Sequence, residues 1–168
     1  MNLIKFFIFT ILLVCSHLAL ALKSDAEQPV TIDSNTASYD DAKAISIYTG
    51  NVITVQGSLH IESDKLVIYF QQGEIEKMVF TGKPTTFRQR PAEGKEEIHG
   101  EALTGEYYPN QNKLVLIEEA VVSQGNNRSE SRLIVYDSKN SVIKAGEQSS
   151  DSKRVHSVFK PKAKGKKN

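Results

Sequence analysis

The sequence feature that most constrains the fold is an alternation of apolar and polar residues over positions 47–70. Ile53 and Val55 share one face of an extended strand, and Leu59 and Ile61 repeat the pattern in the next run. Three pairs of turn-forming residues interrupt the alternation: Gly50-Asn51, Gln56-Gly57 and Ser63-Asp64. Period-two alternation bounded by Gly, Asn and Asp predicts half-buried antiparallel strands joined by tight turns.

The same pattern returns in the second half of the chain. Residues 132–136 are a basic residue, three apolar residues and a tyrosine, as are residues 65–69, and residues 121–125 echo 52–57. A smaller unit recurs at residues 32–35, 61–64 and 98–101, with a degenerate copy at 129–132. Its spacing of about 30 residues favours stacked β units over a single two-layer core. We therefore predict an all-β fold in which many short strands wind into a roll or barrel.

Strands are predicted wherever apolar alternation lies between turn residues. They span 29–32, 42–48, three runs within 52–70, then 75–80, 85–88, 98–103, 106–108, 113–117, 120–123, 131–136, 142–145 and 154–159. Turns are predicted between them at 40–41, 71–74, 82–84, 109–112, 125–127 and 138–140. The first and last strands of such a sheet lack partners. Pairing one molecule's last strand with the next molecule's first strand can generate open filaments.

The first 21 residues have the composition of a secretory signal peptide. Lys5 gives a positive start, residues 6–20 are largely apolar, and Ala19-Leu20-Ala21 is an A-x-A cleavage site. A membrane anchor is the alternative, but the apolar run is short for a bilayer. A lipoprotein would attach through Cys15, which no small residue precedes. We expect export and cleavage near Ala21, which removes the only cysteine and with it any disulfide.

Charge divides the remaining chain into two parts. Residues 22–159, the predicted β domain, carry 15 basic and 20 acidic residues, and such an acidic body is a poor nucleic-acid binder. Residues 160–168 carry five lysines with no apolar run, so this basic tail is predicted to be disordered. The tail is either a solvated end with no role or an anion-binding segment.

Catalytic and metal-binding motifs are absent from the sequence. His60, His99 and His156 alternate with apolar residues in predicted strands, which favours solvent-facing histidines over a metal site. There is no G-x-S-x-G elbow, no H-E-x-x-H motif and, after cleavage, no cysteine nucleophile. The glycine spacing of 100–105 lacks the Lys-Ser/Thr of a phosphate loop. We expect a protein that is not an enzyme and needs no metal or cofactor.

The inner face of the predicted roll is apolar. The residues predicted to point inward are Val30, Ile32, Ile47, Ile53, Leu59, Ile61, Ile68, Phe80, Phe87, Tyr107, Leu116 and Ile134. These side chains either line an apolar lumen or fill a closed core, and a closed core is the commoner outcome.

Several longer motifs carry a family resemblance. They are Gln28–Ser34, Tyr48–Gly57 with its T-G-N-V-x-x-x-Q-G string, Ser63–Val67, Gly82–Phe87 with its G-K-P-x-x-F string, and Lys153–Val155. In these motifs and their order the chain resembles the LptA/OstA family of Gram-negative periplasmic proteins. The resemblance implies the family's fold, a twisted antiparallel β-jellyroll.

The resemblance also implies a function and partners. Family members carry lipopolysaccharide from the inner-membrane complex to the outer-membrane assembly complex, holding lipid A acyl chains in an apolar groove. They stack end to end with LptC at the inner membrane, with LptD at the outer membrane, or with a further copy. An ATPase at the inner membrane drives the transfer. The rival interpretations are a cell-envelope scaffold with a closed core and no lipid binding, and an extracytoplasmic hydrolase, which the missing nucleophile motif disfavours.

Resemblance and inward alternation together give the candidate residues. The predicted lipid-binding residues are Val30, Ile32, Ile47, Ile53, Ile61, Phe80, Phe87, Tyr107 and Leu116. The predicted partner edges are Pro29, Val30, Thr31 and Ile32 toward LptC, and Arg154, Val155, His156, Ser157, Val158 and Phe159 toward LptD or another copy.

The lysine tail supplies the first testable prediction. If its positive charge contacts anionic headgroup phosphates or a partner, deleting residues 160–168 weakens lipopolysaccharide binding and export. Binding to purified lipopolysaccharide and surface export in cells measure the effect. Unchanged binding and export after the deletion would remove any role for the tail.

Overall fold

The structure is a computed structural model that describes residues 25–91, 94–147 and 154–160. The predicted signal peptide and residues 161–168 of the predicted tail lie outside the described residues. No helix within the described ranges is long and apolar enough to cross a membrane.

Ten β-strands and two short 3-10 turns make up the described fold. The strands are β1 (Val30–Asp33), β2 (Thr36–Asp40), β3 (Ile45–Gln56), β4 (Leu59–Gln71), β5 (Glu74–Gln89), β6 (Ile98–Tyr108), β7 (Lys113–Gln124), β8 (Asn127–Asp137), β9 (Val142–Ala145) and β10 (His156–Phe159). The 3-10 turns are Asp25–Glu27 and Pro109–Gln111. The all-β, antiparallel prediction is confirmed.

All ten strands belong to one antiparallel sheet that is open at both ends. Its order is β1-β3-β4-β5-β6-β7-β8-β10, with β2 also pairing with β3 and β9 also pairing with β8. Each edge of the sheet is therefore made of two short strands, β1 and β2 at one end and β10 and β9 at the other.

The five long ladders are all interrupted near their middle. The register shifts fall between residues 49 and 52, 62 and 65, 81 and 85, 101 and 104, and 117 and 120. An extra residue in one strand bends it and increases its twist. Because the interruptions lie at the same level of neighbouring strands, they form one crease across the sheet.

Several of the predicted turns lie at the crease, inside continuous strands, and the prediction of turns there was wrong. Gly50-Asn51, Ser63-Asp64 and Gly82-Lys83-Pro84 were expected to separate strands, but they lie inside β3, β4 and β5. Gly50 and Asn51 have φ of 83° and 47°, which suits a bulge as well as it suits a turn. For the same reason the predicted pairs 98–103 with 106–108, and 113–117 with 120–123, are the single strands β6 and β7.

Other predicted boundaries differ at the edges of the sheet. Strand β2 was not predicted, and the strand expected at 42–48 begins only at Ile45, after a turn at residues 41–44. The turns predicted at 71–74, 109–112 and 125–127 are confirmed in position.

The crease divides the sheet into two halves that pack face to face. Half A comprises residues 52–63, 85–91, 94–102 and 120–131, and half B comprises residues 45–49, 65–81, 104–117 and 133–145. The ring of Phe87 in half A stacks on Tyr136 in half B, with centroids 6.3 Å apart. Seventeen buried apolar side chains from both halves form one core cluster. Burying them supplies most of the stabilisation, at roughly 25 cal/mol per Å² of apolar surface.

Leu66 and Ile53 provide a matched test of which face is the core. Leu66 is fully buried, and Leu66→Ala is expected to lower the free energy of unfolding by about 3 kcal/mol through lost contacts and a residual cavity. Ile53 is exposed on the opposite face, and Ile53→Ala is expected to cost under about 1 kcal/mol. Denaturant titrations measure both. Equal losses would contradict the assignment of the inner face.

Candidate functional site

Most of the predicted inward residues reach the interior. Ile61, Phe80, Phe87, Tyr107 and Leu116 are 0–4% exposed and belong to the core cluster. Leu59, Ile68 and Ile134 join them there, and Val30 and Ile32 of β1 pack against the cluster while partly exposed. These side chains come from β1, β4, β5, β6, β7 and β8, so the apolar interior runs across the sheet from β1 toward the other edge.

Ile47 and Ile53 were placed on the wrong face. Ile53 is 37% exposed, and Ile47 alternates with Ser46 and Tyr48, which face the core side. In half A, strand β3 places polar side chains inward and its isoleucine outward. Its inward positions there are Val52, Thr54 and Gln56. Apolar alternation alone could not reveal this reversal.

A polar stripe in half A was missed by the sequence reasoning. Its members are buried at 3–8% exposure: Thr54, Gln56, Ser63, Thr85 and Gln89. One signal could have found part of it. Leu59 and Ile61 were correctly placed inward, and antiparallel pairing sets Gln56 opposite Leu59 and Thr54 opposite Ile61, hence on the same face.

Part of the polar stripe has no hydrogen-bond partner among the described residues. Thr85 is satisfied, because its hydroxyl donates to the backbone carbonyl of Glu62 at 2.8 Å. The unpartnered buried atoms are Thr54 Oγ1, Gln56 Oε1, Ser63 Oγ and, across the interior, the Tyr136 hydroxyl. An unpaired buried polar group costs about 1–3 kcal/mol, so four of them in one interior call for a functional explanation.

Two tyrosines bring neutral hydroxyls to the interior of half B. Burial raises the pKa of Tyr107 and of Tyr136 to about 12, and the negative charge of Asp25 adds to the rise in both cases. Both side chains therefore remain uncharged at every physiological pH, and the interior presents apolar surface with neutral polar groups.

Gly100 holds Phe87 in place. The two residues are cross-strand partners, and Gly100 lies inward between Ile98 and Ala102. A Cβ at Gly100 would overlap the ring of Phe87. The missing side chain is thus what allows the ring to lie flat over β6 and reach Tyr136.

Apolar side chains are exposed at both open edges of the sheet. At the first edge Tyr39 of β2 is 62% exposed, with its ring edge-on to Phe70. At the other edge Phe159 of β10 is 73% exposed, and Val155 and Ile143 are also exposed. The predicted edge strands 29–32 and 154–159 are represented by β1 and β10, which occupy the two opposite ends of the sheet.

The outer face carries ion pairs and the histidines. His60 Nε2 lies 3.1 Å from Glu62 and His99 Nε2 lies 3.2 Å from Glu97, while His156 is exposed on β10. Within the described ranges, no group of three or more His, Cys, Asp or Glu side chains is arranged to hold a metal ion.

Comparison with known proteins places this sheet in a family. A family model described as "LptA/(LptD N-terminal domain) LPS transport protein" matches residues 31–142. The chain belongs to the LptA family of lipopolysaccharide transport proteins. The LptA-family match covers β1 to β8, the crease and most of the core.

Curated LptA relatives agree over nearly the whole chain. The lipopolysaccharide export system protein LptH of Pseudomonas aeruginosa is 35% identical over 155 residues, 89% of each chain. The LptA protein of Escherichia coli K12 is 34% identical over 152 residues, 89% of this chain and 80% of that one. These relatives are named as export proteins, which agrees with the expectation of a protein that is not an enzyme.

A solved structure shows the same LptA architecture. The crystal structure of LptH from Pseudomonas aeruginosa, described as the LptA homologous periplasmic component of the lipopolysaccharide transport device, superposes with a TM-score of 0.75. It is 31% identical and covers 82% of this chain and 99% of that one. The jellyroll expected from the family resemblance is thereby confirmed.

The contact between Gly100 and Phe87 can be tested by adding one methyl group. Gly100→Ala is expected to displace the Phe87 ring and to lower the free energy of unfolding by about 1–3 kcal/mol through overpacking. In a Phe87→Leu background the same change should cost less, because leucine lacks the Cε1 and Cζ atoms, and Cε1 comes closest to the new Cβ. Denaturant melts of the four chains in this double-mutant cycle give the coupling energy. Additive losses would show that the two residues act independently.

Proposed function

We propose that this LptA-family protein is a periplasmic carrier that holds lipid A acyl chains between the two halves of its creased sheet. In this role it passes lipopolysaccharide from the inner-membrane complex to the outer-membrane assembly complex. The observation that carries the proposal is an apolar interior that runs across the sheet and ends in exposed apolar side chains at both open edges.

The energetics of acyl chains require such an interior. Moving a chain from water to an apolar site gains roughly 0.8 kcal/mol per CH₂ group, so several chains cannot cross an aqueous compartment uncovered. A carrier must bury the chains and still release them. This separates it from an enzyme, since transfer by a carrier changes only where the lipid lies.

In the central part of the sheet, the space between the two halves is filled by the protein's own side chains. Residues such as Phe80 and Ile134 are 0% exposed, so an acyl chain enters by replacing contacts between the halves. The replaced and the new contacts are both apolar, and the net binding energy is therefore much smaller than the gross burial energy. That balance suits a protein that hands its cargo on.

The scaffold alternative is disfavoured by the sheet edges and by the relatives. A scaffold with a closed core has no reason to leave Phe159 and Tyr39 exposed in line with the core. It also has no reason to retain four unpartnered polar atoms in the interior among the described residues. The curated relatives are named as lipopolysaccharide export proteins rather than as structural ones.

Photo-crosslinking from inside and outside the sheet tests the carrier function. A benzoyl-phenylalanine in place of Phe87 or Tyr107 is expected to form a lipopolysaccharide adduct, because both positions lie in the core between the halves. The same group at Ile53, which is exposed on the outer face, should form none. Gel analysis of the ultraviolet-treated protein with purified lipopolysaccharide measures adducts. Labelling at Ile53 but not at Phe87 or Tyr107 would refute the proposal.

The proposed partners meet the two open edges. An LptC-like protein would pair with β1 and β2, and an LptD-like protein or another copy would pair with β10 and β9. Both edges offer unpaired backbone donors and acceptors, and β-strand addition satisfies them. The geometry of the two edges supports this model, because they match each other strand for strand.

The match between the edges follows from the ladders. One row of paired residues runs from Ile32 of β1 through Ile61, Phe87 and Val122 to Ser157 of β10. A second row runs from Ala37 of β2 to Ala145 of β9, and its other members are Tyr48, Leu66, Phe80, Gly105, Leu116 and Ile134. A second copy can therefore add β1 to β10 and β2 to β9 without sliding along the strands.

This unshifted register brings favourable pairs together. It sets Val30 opposite Phe159 on the inner face, which extends the apolar interior from one copy into the next. It also sets Asp33 opposite His156 and Tyr39 opposite Ile143. Phe159 and Tyr39, both largely exposed in one copy, would then be covered.

Paired cysteines test the register in the chain expressed without residues 1–21, which removes Cys15. Thr31→Cys and Val158→Cys lie opposite each other in the unshifted register, within disulfide reach across adjacent strands. Mild oxidation is expected to give a ladder of covalent multimers. The control pair Thr31→Cys with His156→Cys is two residues out of register and should give little product. Equal ladders from both pairs would contradict the unshifted stacking.

A further inference from the structure

The segment that precedes β1 is tied to the interior of half A. The carboxylate of Asp25 accepts hydrogen bonds from the backbone N–H of Ser58 at 2.8 Å, from the Ser58 hydroxyl at 2.6 Å and from Gln89 Nε2 at 2.5 Å. Asp25 thus joins the hairpin after β3 to the end of β5. Three donors converge on one carboxylate that is separated from them by more than 30 residues of chain.

A second buried amide holds the same segment by its backbone. Gln56 Nε2 donates to the carbonyl of Ala26 at 3.2 Å and to the carbonyl of Gln28 at 3.0 Å. Gln56 and Gln89 are only 4% and 6% exposed and belong to the polar stripe of the inner face. We call residues 25–28 the strap. The strap therefore occupies hydrogen-bond donors that face the interior.

The strap influences both halves of the sheet. Its hydrogen bonds are to half A, yet the charge of Asp25 acts on the hydroxyls of Tyr107 and Tyr136 in half B and helps to raise their pKa. Thr54 Oγ1, Gln56 Oε1 and the Tyr136 hydroxyl are buried without a hydrogen-bond partner among the described residues. These atoms can therefore still form hydrogen bonds with another molecule while the strap is bound.

The donors define the chemistry of what replaces the strap. A hydrocarbon chain alone would leave the amides of Gln56 and Gln89 and the backbone N–H of Ser58 unpaired, at about 1–3 kcal/mol for each group. The Ser58 hydroxyl would keep the carbonyl of Arg90 as an acceptor, at 3.1 Å. An incoming molecule must bring acceptors as the strap does. Acyl chains carry such acceptors in the ester and amide carbonyls that attach them to their headgroup.

We propose that Gln56, Ser58 and Gln89 form a hydrogen-bonding subsite for the ester and amide carbonyls of an acylated lipid, and that residues 25–28 compete for it from within the chain. This inference rests on the proposed carrier function and assigns it a polar contact and an internal competitor. The strap closes the subsite when no lipid holds it and shields the donors from water. It withdraws when carbonyl groups replace Asp25, Ala26 and Gln28 as acceptors.

Weakening the strap tests the competition. Asp25→Ala removes the acceptor of three donors and is expected to raise lipopolysaccharide crosslinking from position 87 several-fold at sub-saturating lipid. Glu27→Ala is the matched control, since Glu27 lies in the same 3-10 turn and is exposed. It removes the same charge and should leave capture unchanged.

A second variant reaches the strap from the hairpin. Gly57→Ala would place a Cβ 2.9 Å from the Asp25 Cα and in overlap with its carboxylate, so it pushes the strap away while keeping Asp25. The left-handed φ of 59° at Gly57 adds backbone strain to the hairpin, which Asp25→Ala does not. It should raise capture in the same direction as Asp25→Ala. Thermal melts of each variant verify that the sheet is folded at the assay temperature.

A pair of lipids that differ only in their carbonyls tests the subsite itself. Dipalmitoyl phosphatidylglycerol has ester carbonyls, and its dihexadecyl ether analogue has the same headgroup with none. In the Asp25→Ala chain the ester is expected to compete against lipopolysaccharide several-fold better than the ether. Gln56→Leu or Gln89→Leu should abolish the difference, whereas Gln71→Leu, at the exposed end of β4, should preserve it.

The outcomes separate this inference from the proposed function. If the chain with wild-type strap captures no lipid from position 87, the carrier function itself fails. If that chain captures lipid but Asp25→Ala and Gly57→Ala capture no more than Glu27→Ala, the strap is not a competitor. If the ester and the ether compete equally in Asp25→Ala, the donors do not bind carbonyls and the subsite is overturned.

Discussion

The structure depends on one constraint, the alignment of five β-bulges at the same level of neighbouring strands. A flat ten-stranded sheet would leave one apolar face in water, and closing it into a barrel would remove its edges. The crease through Gly50, Ser63, Gly82 and the glutamates at 118–119 folds the sheet on itself instead. Each long strand thus contributes to both halves, so the interior is buried while both edges stay unpaired within the described part of the chain.

The unpaired edges and the apolar interior are two consequences of that folding. Because the crease crosses the strands, the space between the halves extends from strand to strand and must end at the sheet edges. Val30 and Phe159 lie at those two ends, on the inner face and at the same level of the sheet. Adding a strand at an edge therefore extends the hydrogen-bonded ladder and the apolar interior together. Under the proposed stacking, a chain with this topology would join its interior to that of a neighbour by ordinary strand pairing.

The sequence predicted the fold class, the edge strands and eight of the seventeen core residues, because period-two alternation is a local signal. Leu59, Ile61 and Ile68 were placed inward correctly, since each of their runs has one apolar face. Ile53 was misplaced because β3 carries its isoleucines outward and Thr54 and Gln56 inward, and only pairing with β4 shows this. Gly50-Asn51 was taken for a turn because glycine and asparagine suit a turn and a bulge alike. The contacts of Asp25 join distant parts of the chain, and no local pattern marks them.

The polar stripe makes the lining of half A chemically different from that of half B, a difference that a purely apolar groove lacks. Half B is lined by Phe80, Leu114, Leu116 and Ile134, an apolar surface that offers hydrocarbon no preferred position along it. Half A sets Gln56 and Gln89 near the hairpin end, so under the proposed function a lipid would gain most with its carbonyls there and its chains extended toward the crease. Hydrogen bonds fix the depth and orientation of the lipid while apolar burial supplies the attraction, because only the former depend on position. In the proposed carrier, such a division would keep each lipid in the same orientation from one copy to the next without requiring tight binding in any of them.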